Sequence, residues 1–128
     1  MKIKLISVIV QDQSSALRFY TEVLGFVKKM DIPAGQYRWL TVVSPEEPDG
    51  AQVTLEPNVH PAAATYQKAL FDSGIPLTAF ETADITAEYE RLKQRGVVFK
   101  NPPTDGGGCM SAMFEDTCGN LIQMYQVL

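Results

Sequence analysis

The sequence has a single histidine, His60, among 128 residues. Any mechanism that needs two imidazoles within one subunit is therefore excluded. Cysteine is nearly as scarce. Cys109 and Cys118 are the only two, set in Gly-rich and Asp/Thr-rich surroundings, and as a zinc pair they lack partners. Nothing at the N-terminus resembles a signal peptide: Met1-Lys2-Ile3-Lys4 leads into a short apolar run that the polar stretch Gln11 to Ser15 interrupts. Free thiols in a reducing, cytoplasmic setting are the expectation. No segment approaches the roughly 18 apolar residues needed to span a bilayer. Basic runs are also missing. Eleven Lys+Arg against 15 Asp+Glu leave a net charge of −4, so neither nucleic acid nor an anionic membrane is an expected partner.

What is present is enough for a real core. The chain is 45% apolar and 20% charged, with 9 Gly and 8 Pro scattered along it. Residues 3–10 are β-branched and apolar and read as a strand, with Ile6, Val8 and Val10 on one face and Leu5, Ser7 and Ile9 on the other. Asp12 offers a helix N-cap. Ala16, Leu17, Phe19, Tyr20, Val23 and Leu24 follow at helical spacing, and Gly25 takes the C′ position. Extended runs are expected at 26–30, 38–43 and 52–56, with a turn at Ile32-Pro33-Ala34-Gly35 and a loop at 44–50. Residues 58–74 read as a linker that partly packs, with a short helix over 66–71.

The pattern then repeats. A strand over 76–81 leads to Asp84 as a cap, a helix over 85–95 and Gly96 at C′. Extended segments at 97–100, 110–115 and 121–125 follow, and Gly106-Gly107-Gly108 reads as a mobile lid or turn rather than a phosphate loop. The two cap aspartates lie 72 residues apart, so the chain reads as a duplicated βαβββ unit. In each half one helix covers one sheet face. The uncovered faces mix polar and apolar residues: Leu5, Ser7, Ile9, Gln52, Thr54 and Glu56 in one half, Leu77, Ala79, Glu81, Leu121, Gln123 and Tyr125 in the other. Curled together they would line a cup for a small molecule.

These residues also resemble a known family. Val10-Gln11-Asp12, Ala16-Leu17-Arg18-Phe19-Tyr20 and Val23-Leu24-Gly25-Phe26 resemble the first module of the glyoxalase / bleomycin-resistance / extradiol-dioxygenase superfamily, the vicinal oxygen chelate fold. Phe80 to Asp84 with Leu92 to Val97 resembles the second module, and Phe114 to Gln123 resembles the closing turn and strand. The resemblance implies an α+β fold: two βαβββ modules in tandem (1–57 and 75–128) forming a cupped, partly closed mixed sheet with helices outside, and a homodimer as the working form.

In metal-dependent members the cup holds a divalent cation on up to four side chains. The matching positions here are Leu5, Glu56, Leu77 and Gln123, so both imidazole positions carry leucine. A catalytic metal generally needs about three protein ligands, and one carboxylate with one amide falls short. The resemblance thus implies no metal and no cofactor. His60 lies in the proline-flanked linker and fills neither strand position.

Two classes of function remain. One is a metal-free binding protein, in the manner of bleomycin-resistance proteins, holding a hydrophobic or aromatic ligand. The other is a lyase-, isomerase- or dioxygenase-type enzyme, similar to lactoylglutathione lyase, with Glu56 as base or ligand; partial desolvation beside Leu5 and Leu77 would raise its pKa toward a useful value. The candidate ligand-binding residues are Leu5, Ser7, Arg38, Trp39, Thr54, Glu56, Leu77, Gln123 and Tyr125. Of Arg38 and Trp39, adjacent on one strand, one is expected to face the cup: Trp39 to stack on a flat ligand or Arg38 to hold an anion.

Overall fold

A computed structural model describes residues 1–128. Two compact units divide the chain, Met1–Thr65 and Tyr66–Leu128, and each is a four-stranded sheet with its own helix.

In the first unit, β1 (Leu5–Val10) leads through Asp12 into α1 (Gln13–Arg18). The Asp12 backbone is extended, and its carboxylate accepts the Ser15 N–H at 2.8 Å, satisfying one of the donors that the first helical turn leaves open. The helix widens into a π-helical turn over Phe19–Val23 and ends at Gly25, whose φ of 90° lies where a β-carbon is strained. Strands β2 (Val27–Ala34), β3 (Tyr37–Val43) and β4 (Gln52–Pro57) follow. The spatial order is β1-β4-β3-β2, with β1 and β4 parallel and the other pairs antiparallel. Val8, Val10, Ala16, Phe19, Tyr20, Leu40, Val42 and Leu55 are buried and form the core. Burial of each valine, leucine or phenylalanine among them contributes about 1.5–3 kcal/mol before its lost entropy is counted.

The second unit repeats the scheme. β5 (Thr78–Glu81), α3 (Ile85–Gln94), β6 (Thr104–Asp105), β7 (Cys109–Glu115) and β8 (Leu121–Val127) give the order β5-β8-β7-β6, again with the outer long pair, β5 and β8, parallel. Asp84 caps α3 by accepting the Ala87 N–H at 3.0 Å. Ile85, Leu92, Ala112, Phe114, Ile122 and Met124 are buried; Tyr89 packs edge to face on Phe99, and Phe99 lies tilted against Phe114. The two βαβββ modules expected from the sequence are therefore present.

Three local expectations are corrected. The segment 61–72 is a full helix, α2 (Pro61–Asp72), within which the chain passes from one unit to the next; the expected helix spanned only 66–71. Its start is explained by Pro61, whose fixed φ suits a first turn, and by His60. The His60 carbonyl accepts the Ala63 and Ala64 N–H groups, and its Nδ1 accepts that of Ala62. The alanine run then extends the helix. Next, Ile32-Pro33-Ala34 is strand, not turn, because β2 is a sheet edge where proline's missing N–H costs no ladder bond. Finally, 97–100 is not a strand: only Phe99 bridges to Phe114. Gly106 to Gly108 closes a tight β6–β7 connection in which the Gly106 N–H donates to the Cys109 carbonyl at 2.8 Å.

Candidate functional site

Strand alternation sorts the first unit's side chains into two faces. Register places Leu5 beside Gln52, Ser7 beside Thr54 and Ile9 beside Glu56. The Ser7 hydroxyl donates to Glu56 Oε1 at 2.9 Å, so these residues share the face turned away from α1. Thr54 continues that face onto β3 through its pairing with Thr41. Two residues further along each strand, Trp39 on β3 and Glu56 on β4 lie on the same face. On β2, Ile32 pairs with Trp39 and Ala34 with Tyr37.

The face away from α1 thus has a closed middle and an apolar rim. Thr41 and Thr54 are buried, with the Thr41 hydroxyl donating to Gln52 Oε1 at 2.7 Å and Thr54 Oγ1 buried without a partner. Around them, Leu5, Ile32, Tyr37 and Trp39 are 37–48% exposed. Such grouped, solvent-facing apolar side chains on one patch are characteristic of a binding surface. Glu56 is half-buried beside them, with Oε1 held by Ser7.

Arg38 lies on the other face. Its guanidinium donates to both carboxylate oxygens of Asp31, each at 2.9 Å, and to the Ser14 hydroxyl of α1 at 2.9 Å. This forked pair holds the Asp31 carboxyl down from its ordinary 3.8 to about 2, chiefly through the Arg38 hydrogen bonds, and raises Arg38 in turn. The two residues left open by the sequence are thereby separated. Trp39 joins the apolar rim, and Arg38 is engaged against α1 instead of facing a ligand.

Of the remaining sequence candidates, Leu5, Ser7, Thr54 and Glu56 are brought together with Trp39. Gln123 and Tyr125 share a face of the second unit's sheet, where Gln123 pairs with Ala79 and Met113, and Tyr125 with Glu81 and Ser111. Leu77 precedes β5, its N–H donating to the Leu121 carbonyl at 2.8 Å. No group of three or more His, Cys, Asp or Glu side chains is placed so that it could hold a metal ion. Leu5 and Leu77 offer no donor atom, and the Glu56 carboxylate and the Gln123 amide alone do not fit a divalent cation. His60 is engaged as the start of α2.

Sequence reasoning missed Ile32, Tyr37 and Gln13. Met30 and Ile32 alternate with the polar Lys29 and Asp31 and could have marked a strand running on through Pro33. Gln13 gives no such signal. It is buried on α1, yet it donates from Nε2 to the carbonyls of Arg38 (2.7 Å) and Leu55 (2.8 Å) and accepts the Arg38 N–H at Oε1 (3.0 Å).

Comparison with known proteins agrees with this fold. A family model described as Glyoxalase/Bleomycin resistance protein/Dioxygenase superfamily matches residues 2–124. The uncharacterized protein YurT of Bacillus subtilis (strain 168) is 56% identical over 126 residues, 98% of this chain and 99% of its own. The crystal structure of UcmS2 superposes with a TM-score of 0.84 at 31% identity, covering 98% of this chain and 97% of that one. TnmS3, an antibiotic binding protein from Streptomyces sp. CB03234, superposes with a TM-score of 0.78 at 30% identity, covering 100% and 97%. With its two βαβββ units and a match along nearly its whole length, the chain belongs to the glyoxalase/bleomycin resistance protein/dioxygenase superfamily.

Proposed function

We propose that the protein binds a hydrophobic or planar aromatic small molecule, without a metal, on the face of the first unit's sheet turned away from α1. The observation that carries this reading is the exposure of Trp39, the chain's only tryptophan, on that face beside Ile32 and on the strand next to Glu56. An indole presents a large flat apolar surface for stacking, while Leu5, Ile32 and Tyr37 extend the contact. Glu56, with one oxygen held by Ser7, supplies a fixed hydrogen-bond acceptor that selects for a ligand hydroxyl or amine. The similarity to TnmS3, itself an antibiotic binding protein, supports a small-molecule ligand. The resemblance further supports a homodimer, which light scattering would report as about twice the 14.1 kDa chain mass.

A thermal-shift screen of polycyclic aromatic and antibiotic-like compounds tests the proposal. A true ligand at a hundredfold excess over Kd raises Tm by roughly 5–10 °C, and Trp39→Ala removes the shift. Absence of any shift across the panel, or a shift that Trp39→Ala leaves intact, contradicts it.

A further inference from the structure

Gln13 is a buried polar side chain whose place apolar packing alone does not explain. An apolar residue would fill its volume without the need for three hydrogen bonds. β3 and β4 pair directly only at Thr41–Thr54 and Val42–Val53. Beyond those pairs, toward Trp39 and Glu56, the Gln13 amide stands where strand backbone would otherwise be. It engages both the N–H and the C=O of Arg38, as a neighbouring strand does, and reaches across to the Leu55 carbonyl. Both amide protons and the oxygen are used, so the side chain is fully satisfied although only 7% exposed. Ser14, the next residue of α1, holds the Arg38 guanidinium. The start of α1 therefore grips Arg38 by backbone and side chain together. Arg38 immediately precedes Trp39, and Leu55 immediately precedes Glu56.

We infer that Gln13 is a positioning residue for the ligand-binding face: its amide sets the spacing of β3 and β4 where Trp39 and Glu56 project from the opposite side. The ligand-binding consequence rests on the reading proposed above; the control of Trp39 does not. A stacking surface and a hydrogen-bond acceptor discriminate between ligands only when their separation is fixed, and a bridging amide fixes it in a way that a slipping apolar contact would not.

The test uses the full chain and the single tryptophan as reporter. Gln13→Leu leaves three backbone groups without their partner. It is expected to raise the acrylamide quenching constant of Trp39 about twofold without ligand, and to weaken any ligand found in the thermal-shift screen about tenfold. Leu92→Val, a core change in the second unit, is the control for general destabilisation and leaves Trp39 quenching unchanged. Should Gln13→Leu not fold, Gln13→Asn, one methylene too short to span both carbonyls, carries the same expectation at smaller size. A folded Gln13 variant with wild-type Trp39 quenching overturns the inference. Altered quenching with no ligand found in the screen leaves Gln13 as the residue that positions Trp39 and counts against the binding proposal alone.

Discussion

The two units share a frame and differ in where they place their buried polar groups. Each has an aspartate cap, a helix closed by glycine and a parallel pairing of its first and last strands. In the first unit the buried amide of Gln13 sits between strands, behind the face that carries Trp39 and Glu56. The second unit concentrates its polar groups at the β7–β8 turn. There the Asp116 carboxyl accepts from the Cys118 and Asn120 N–H groups and from Asn120 Nδ2, while Gln67 of α2 donates to the Cys118 carbonyl and Asn120 Oδ1. One unit uses buried polarity to set a surface; the other uses it to fasten a turn. The same backbone scheme thus carries two different side-chain networks.

That contrast can be broken from either side. The largest effect is expected at Asp116, which is wholly buried. Asp116→Ala strands three donors and is expected to lower stability by about 3 kcal/mol or more, read as a shift in the urea midpoint. Because the damage is to the turn, the Trp39 emission of the folded protein stays as in wild type. A smaller loss, about 1 kcal/mol, is expected for Asp84→Ala at the α3 cap, and Asp12→Ala acts in the same direction in the first unit. The opposite sign is expected in the Asp116 turn itself. Thr117 has a φ of 60°, strained for a β-branched residue. Thr117→Gly is expected to stabilise by up to about 1 kcal/mol, seen as a raised urea midpoint.

The Arg38 grip depends on pH through its partner Asp31. The folded-state pKa of Asp31 is depressed to about 2, so its contribution is fully present above the unfolded value near 3.8 and is lost as pH falls through about 2. The stability difference between wild type and Asp31→Asn is expected to be constant at neutral and mildly acidic pH and to shrink between about pH 4 and pH 2. Urea titrations of both proteins across that range check it. A constant difference down to pH 2 would count against the pairing.

Much of this frame is legible in the sequence because it is local. Asp12 and Asp84, with glycine 13 and 12 residues later, mark both helices, and period-two alternation in residues 52–56 assigns the faces of that strand. Legibility stops where the deciding contact is distant along the chain. Residues 38–43 carry apolar side chains at both parities, so alternation alone does not orient Arg38 and Trp39. Gln13, Ser14 and Asp31 decide the matter from elsewhere. The two-residue β6 and the strand through Pro33 were hidden for a related reason: each depends on its neighbour in the sheet rather than on its own composition.

The central claim is that Trp39 marks a ligand-binding face that works without a metal. Its most direct test is a titration of chelator-treated protein with an aromatic compound from the thermal-shift screen, following Trp39 emission. The account predicts saturable quenching with the same Kd before and after chelation. Quenching that appears only when a divalent cation is added back would contradict it.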